Sequence, residues 1–182
     1  MLKIIAFLGL IIIFANSQHC LNHEGNAVDW MVLLNAPGTV SEGYLYFDSL
    51  STQSRFKKFS QRPDATGYPI NRTLSQINEM TNLDWVAWND QNPNGSTTSV
   101  KAHSKNVLVF DKTTKDGIVI VHSMPKYPAF IQGKVDVEIS DSQRVYGQHF
   151  FCFRAPGAVM NEIFTKASST RLNIYESTFT IP

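Results

Sequence analysis

Apolar residues fall along this chain in short blocks, separated by polar stretches rich in Gly, Pro, Asn and Ser. Residues 28–35, VDWMVLLN, form a near-continuous apolar run that predicts a buried strand. Residues 43–49, GYLYFDS, predict its hairpin neighbour, with Pro37 and Gly38 supplying turn chemistry between them. Residues 50–70 are polar and broken by Pro63, Gly67 and Pro69, the marks of a loop. The period changes at 71–81, where Leu74, Ile77 and Met80 recur three apart. That spacing predicts a helix with Asn71 or Thr73 as its N-cap. Strand character returns at 83–88, LDWVAW, followed by a polar loop at 89–99. Two dense runs, 106–110 and 118–122, predict a hairpin across KTTKDG in which Gly117 takes the positive φ. A further strand is predicted at 145–153, and a last helix at 157–167 after Pro156. Interleaved strands and helices imply a layered α+β or α/β domain.

The first residues stand apart from this pattern. Lys3 precedes an unbroken apolar stretch from Ile4 to Phe14, followed by Ala15, Asn16 and Ser17. A basic start, an apolar centre and small residues two apart predict a signal peptide over 1–17, cut after Ser17, leaving a domain at 18–182. The stretch is too short to span a bilayer, so no membrane association is expected. With 182 residues, 43% of them hydrophobic, the chain suits one domain around a single substantial core.

Export changes how the cysteines read. Cys20 and Cys152 are the only two and both follow the cleavage point; in an oxidising compartment such a pair implies a disulfide. A loop that long would contribute on the order of 4–5 kcal/mol through chain entropy alone. Sequons at Asn71 and Asn94 are candidate glycan acceptors. Losing Lys3 leaves fifteen basic and fifteen acidic side chains, so the five histidines set the charge in acid solution. Such a chain favours polyanions more at low pH than at neutrality.

Candidate chemistry gathers on the central hairpin. His103 and Lys105 are two apart and share a face on extended backbone. If Asp111 pairs with Ile118, His122 falls opposite Val107 on that same face; a slip of one residue would send it to the other side. Two imidazoles and an ammonium suit phosphodiester cleavage without a metal. One imidazole attacks phosphorus or acts as base, another protonates the leaving oxygen, and the lysine holds the phosphate oxygens. The same residues also fit plainer roles, a polar strand cap and an edge lysine. His19 and His23 are expected in solvent at the chain start. No H-E-x-x-H, C-x-x-C, EF-hand, P-loop or G-x-S-x-G spacing occurs, so neither metal nor cofactor is expected.

Longer blocks narrow the choice. HSKNVLVFD (103–111), GIVIVHSMPKYP (117–128), VDWMVLLNAP (28–37), WNDQNP (88–93) and YGQHFFC (146–152) resemble, in order, blocks of the deoxyribonuclease II family. The resemblance implies an α+β, phospholipase D-like layered fold with a mixed sheet flanked by helices. It also implies a disulfide between Cys20 and Cys152. His103 and Lys105 are carried over as the H-x-K of the active site, and His122 as an additional functional histidine. The implied activity is metal-independent acid hydrolysis of DNA through a phosphohistidine, leaving 3′-phosphate ends, in a secreted or lysosomal setting. Asp111 comes one residue later than in the superfamily's H-x-K-x4-D, as it does in the family block. Members contain two similar halves, each with one H-x-K; this chain corresponds to the first and carries one motif. A homodimer would supply the second. Without it, the resemblance allows an inactive secreted protein that binds nucleic acid or another partner.

Overall fold

The computed structural model describes residues 18–37, 43–60, 67–95, 100–139 and 141–179. The predicted signal peptide and Gly38 lie outside these residues. In chain order the elements are β1 (Cys20–Leu21), β2 (Ala27–Val28), β3 (Trp30–Asn35), β4 (Tyr44–Asp48), β5 (Lys57–Phe59), α1 (Pro69–Glu79), β6 (Leu83–Asn89), β7 (Lys105–Asp111), β8 (Asp116–His122), β9 (Ala129–Ile131), β10 (Lys134–Asp136), α2 (Asp141–Arg144), β11 (Gln148–Pro156), α3 (Gly157–Ser168) and β12 (Ile174–Ser177). Eight strands form one sheet in the order β12-β6-β7-β8-β11-β3-β4-β5. The fold is α+β.

Alternation along β3 and the first half of β11 divides the sheet into two faces. One face sets Met31, Leu33, Tyr44, Val107, Val109, Ile118, Ile120 and Phe150 against Ile70, Leu74 and Ile77 of α1. The Cys20–Cys152 disulfide forms on this side, tying β1 to β11. On the other face Met160 of α3 covers Val86, Leu108, Val119 and Ala155. The rest of that face is open: Val121, Phe151 and Leu45 are partly exposed, and Phe151, Val32 and Phe47 lie side by side in register.

Several local expectations need correction. The first long helix starts at Pro69, whose missing N–H costs nothing in a first turn, and Tyr68 is its N-cap with no side-chain cap bond. Asn71 is buried instead, its Oδ1 accepting from the Tyr127 hydroxyl; Asn94 is exposed. The Thr73 hydroxyl accepts from the Leu21 backbone, fastening β1 to α1. The polar 50–70 stretch contains β5, a short edge strand paired to β4.

In the central hairpin Val109 pairs with Ile118, a slip of two from the expected register. An even slip keeps every side chain on its face, and it moves His122 from beside Val107 to beside Lys105. The left-handed residue of the turn is Lys115, at φ 64°, and not Gly117. Gly117 is needed for space: a Cβ there would sit 2.1 Å from the Val109 carbonyl oxygen and 2.7 Å from Met160 Sδ. His19 and His23 are half-buried, and His23 packs its ring on Phe59 at 4.5 Å. Among the described residues no helix is long and apolar enough to cross a membrane.

Candidate active site

The site is built where β6 ends, β7 begins and β8 ends, at one end of these interior strands. Asn89, the last residue of β6, pairs with Lys105, the first of β7. Its buried side-chain amide donates to the carbonyls of Met124 and Tyr127. Its Oδ1 accepts from the Gln91 backbone, and Gln91 in turn receives the Lys126 N–H. The strand therefore turns sharply at Asp90, whose carboxylate faces the start of β7.

Asp90 is the residue around which the cluster is organised. Its Oδ1 accepts from Lys105 Nζ at 2.5 Å, and its Oδ2 lies 2.8 Å from His103 Nδ1. The intervening Ser104 is fixed as well, its hydroxyl accepting from Trp88 Nε1 at 3.0 Å and from Asn106 Nδ2 at 2.8 Å. Burial alone would raise the Asp90 pKa; the hydrogen bonds from Lys105 and His103 outweigh it and hold the carboxyl below its ordinary range. Lys105 is buried with its carboxylate, whereas the His103 side chain is 85% exposed. When Nδ1 carries the proton shared with Asp90, the Nε2 lone pair faces solvent.

A cavity of about 290 Å³ opens in front of these groups. It is lined by His103 and Lys105, by the buried His122 at its floor, and by Val121, Ser123 and His149. The His122 ring stacks on Phe150 at 5.7 Å and meets Tyr127 edge-on at 5.9 Å. Neither of its nitrogens has a hydrogen-bond partner of good geometry. Burial, then the charges of Lys105 and His149, push its pKa down to about 3, and an approach to the Met124 backbone opposes this only weakly. His122 is therefore neutral throughout mildly acid solution.

His103, Lys105 and His122 thus meet at one cavity. Asp90 and His149 were not among the expected site residues. For Asp90 the signal existed, since WNDQNP was one of the blocks on which the family resemblance rests. Asp111 lies at the far end of β7, where its Oδ1 accepts from Asn82 Nδ2 and the backbone of Thr113 and Thr114; it caps a turn. Among the described residues no group of three or more His, Cys, Asp or Glu side chains is placed to hold a metal ion.

Comparison with known proteins shows the family. The family described as Deoxyribonuclease II matches residues 19–181. The chain is 30% identical over 139 residues to Cell-death-related nuclease 7 of Caenorhabditis elegans, covering 73% of this chain and 36% of that protein. It is 28% identical over 168 residues to Deoxyribonuclease-2-beta of Rattus norvegicus, covering 86% of this chain and 46% of that one. To Deoxyribonuclease-2-beta of Homo sapiens it is 32% identical over 136 residues, 67% of this chain and 37% of that protein. The chain spans less than half the length of these relatives. It belongs to the deoxyribonuclease II family.

Proposed function

We propose that this deoxyribonuclease II family chain is an acid endodeoxyribonuclease that uses His103 as its nucleophile and needs no metal. The observation that supports this most is the His103–Asp90–Lys105 cluster: a histidine held at Nδ1 by a buried carboxylate, with its other nitrogen open to a cavity. His103 Nε2 attacks a DNA phosphorus, and the bond to the 5′ oxygen of the downstream nucleotide breaks as that oxygen takes up a proton. The upstream strand is left as a 3′-phosphoryl group on Nε2. Water then attacks that phosphorus, freeing the 3′-phosphate end and the imidazole. Asp90 fixes the tautomer and balances the charge on the phosphorylated ring. Lys105, at the cavity wall, faces the phosphate oxygens as charge shifts onto them. His122 supports by shape, backing the cavity with its neutral ring.

The leaving oxygen's proton requires a second acid, and the chain carries one H-x-K. A second copy about a two-fold axis would bring another His103 to face the first, giving a closed homodimer in a secreted or lysosomal setting. The test is nicking of supercoiled plasmid at pH 5 in excess EDTA, beside His103→Ala. The parent should nick and the variant, exposed at that position and fully folded, should not. Equal nicking by both would remove His103 from the chemistry. Intact plasmid with both would favour the other reading, a secreted binding protein on a nuclease scaffold.

A further inference from the structure

The charge of the cavity shows what the cluster described above does not supply. Lys105 brings a positive charge, but Asp90 sits 2.5 Å from its Nζ and cancels it. His122 is neutral and buried. His103 adds no charge while its Nε2 is free to attack. A phosphodiester entering the cavity thus meets a wall whose fixed charges sum to zero.

His149 belongs to the lining of the same cavity. It is the second residue of β11 and exposed to solvent. Its backbone is held firmly: its N–H donates to Ser123 Oγ at 3.0 Å and its carbonyl accepts the Ser123 N–H at 3.1 Å. The Ser123 hydroxyl is meanwhile committed to Gln148 Oε1 at 2.5 Å, which leaves His149 as the polar group of this pair free to meet a ligand. The titratable and charged groups that share the cavity lining with it are His103, Lys105 and His122, with Asp90 paired to Lys105; on β3 its paired residue is the uncharged Leu34. Histidine is the side chain that gains a charge in mildly acid solution.

We propose that His149 is a substrate-contacting residue, its imidazolium holding a non-bridging oxygen of the DNA phosphate next to the one being cleaved. This rests on the nuclease reading and deepens it. It separates DNA capture by one side chain of the cavity lining from the chemistry at His103.

Binding and turnover separate the two ideas. Anisotropy of a labelled oligonucleotide, with EDTA present, reads affinity at pH 5 and at pH 7.5 for the parent, His149→Ala and His149→Lys. His149→Ala should lose about fivefold to tenfold in affinity at pH 5, with the salt slope reduced by about one, and nothing at pH 7.5. His149→Lys should keep the pH 5 affinity and carry it to pH 7.5. In nicking assays His149→Ala should raise KM and leave kcat unchanged. A His149→Ala chain that binds like the parent at pH 5 overturns the proposal, as does a loss confined to kcat or a parent that binds no DNA. A parent that binds with this His149 dependence yet never nicks upholds the contact and removes the catalytic reading.

Discussion

Asp90 and His122 are each 4% exposed, one behind the cavity lining and one in it, yet the fold treats them in opposite ways. Asp90 receives two hydrogen bonds from cationic or polar partners and stays ionised. His122 receives none, lies between Phe150 and Tyr127, and stays neutral. Burial by itself therefore says little about function. A buried charge is kept where its partners are in place, and a buried base surrounded by rings is packing with a polar edge. On the nuclease reading, the cluster at Asp90 serves the chemistry and the floor of the cavity serves shape.

The largest break in this comparison comes at Asp90. Asp90→Asn keeps the volume but loses the charge that fixes the His103 tautomer. We expect kcat at pH 5 to fall by about 10²–10⁴, with KM within about twofold, because the carboxylate acts through the nucleophile and not on DNA. Steady-state kinetics on a plasmid substrate checks it. A variant that folds and turns over normally would reduce Asp90 to a structural partner of Lys105.

Next is the ion pair itself. Lys105→Met leaves Asp90 buried with only His103 beside it, and we expect a loss of about 3 kcal/mol of stability at pH 7 by urea unfolding. Because the folded Asp90 pKa lies below its unfolded value, the pair's contribution is present above the ordinary carboxylate range and fades as pH falls through the folded pKa. The deficit should therefore persist at pH 5 and shrink only in stronger acid. In the double variant with Asp90→Asn the two effects should not add, since each removes the same interaction. Additive losses would mean the two groups are stabilised separately.

The sequence made some of this legible, for identifiable reasons. The apolar blocks gave most strands because a run such as 118–121 has no alternative to burial in a sheet. The helix start was misplaced because Asn71 and Thr73 look like caps but are spent on Tyr127 and Leu21, contacts set by tertiary packing. Gly117 looked like a turn glycine because its need is steric and comes from Val109 and Met160, distant in sequence. His103, Lys105 and His122 were readable from the H-x-K and V-H-S blocks. Asp90 was not singled out, since its pairing with Lys105 depends on Asn89 standing opposite Lys105 across two strands. His149 is similar: only the β8–β11 register brings it to the cavity.

The floor gives the smallest and most diagnostic effect. His122 has a folded pKa of about 3 against an ordinary 6.5, so the unfolded chain takes up a proton that the folded chain refuses. The unfolded state binds more protons between those values, and stability must drop as pH falls below 6.5. At pH 5 the cost is about 2 kcal/mol relative to pH 7.5. Replacing the ring by one that cannot titrate should remove it. His122→Phe loses only the weak approach to the Met124 backbone and has a stacking partner in Phe150 already in place. Its unfolding free energy should therefore change between pH 7.5 and pH 5 by about 2 kcal/mol less than the parent's. Plasmid nicking at pH 5 should stay within about threefold of the parent. A folded His122→Phe chain that cannot nick DNA would move this histidine from the floor to the chemistry, and the contrast with Asp90 would no longer hold.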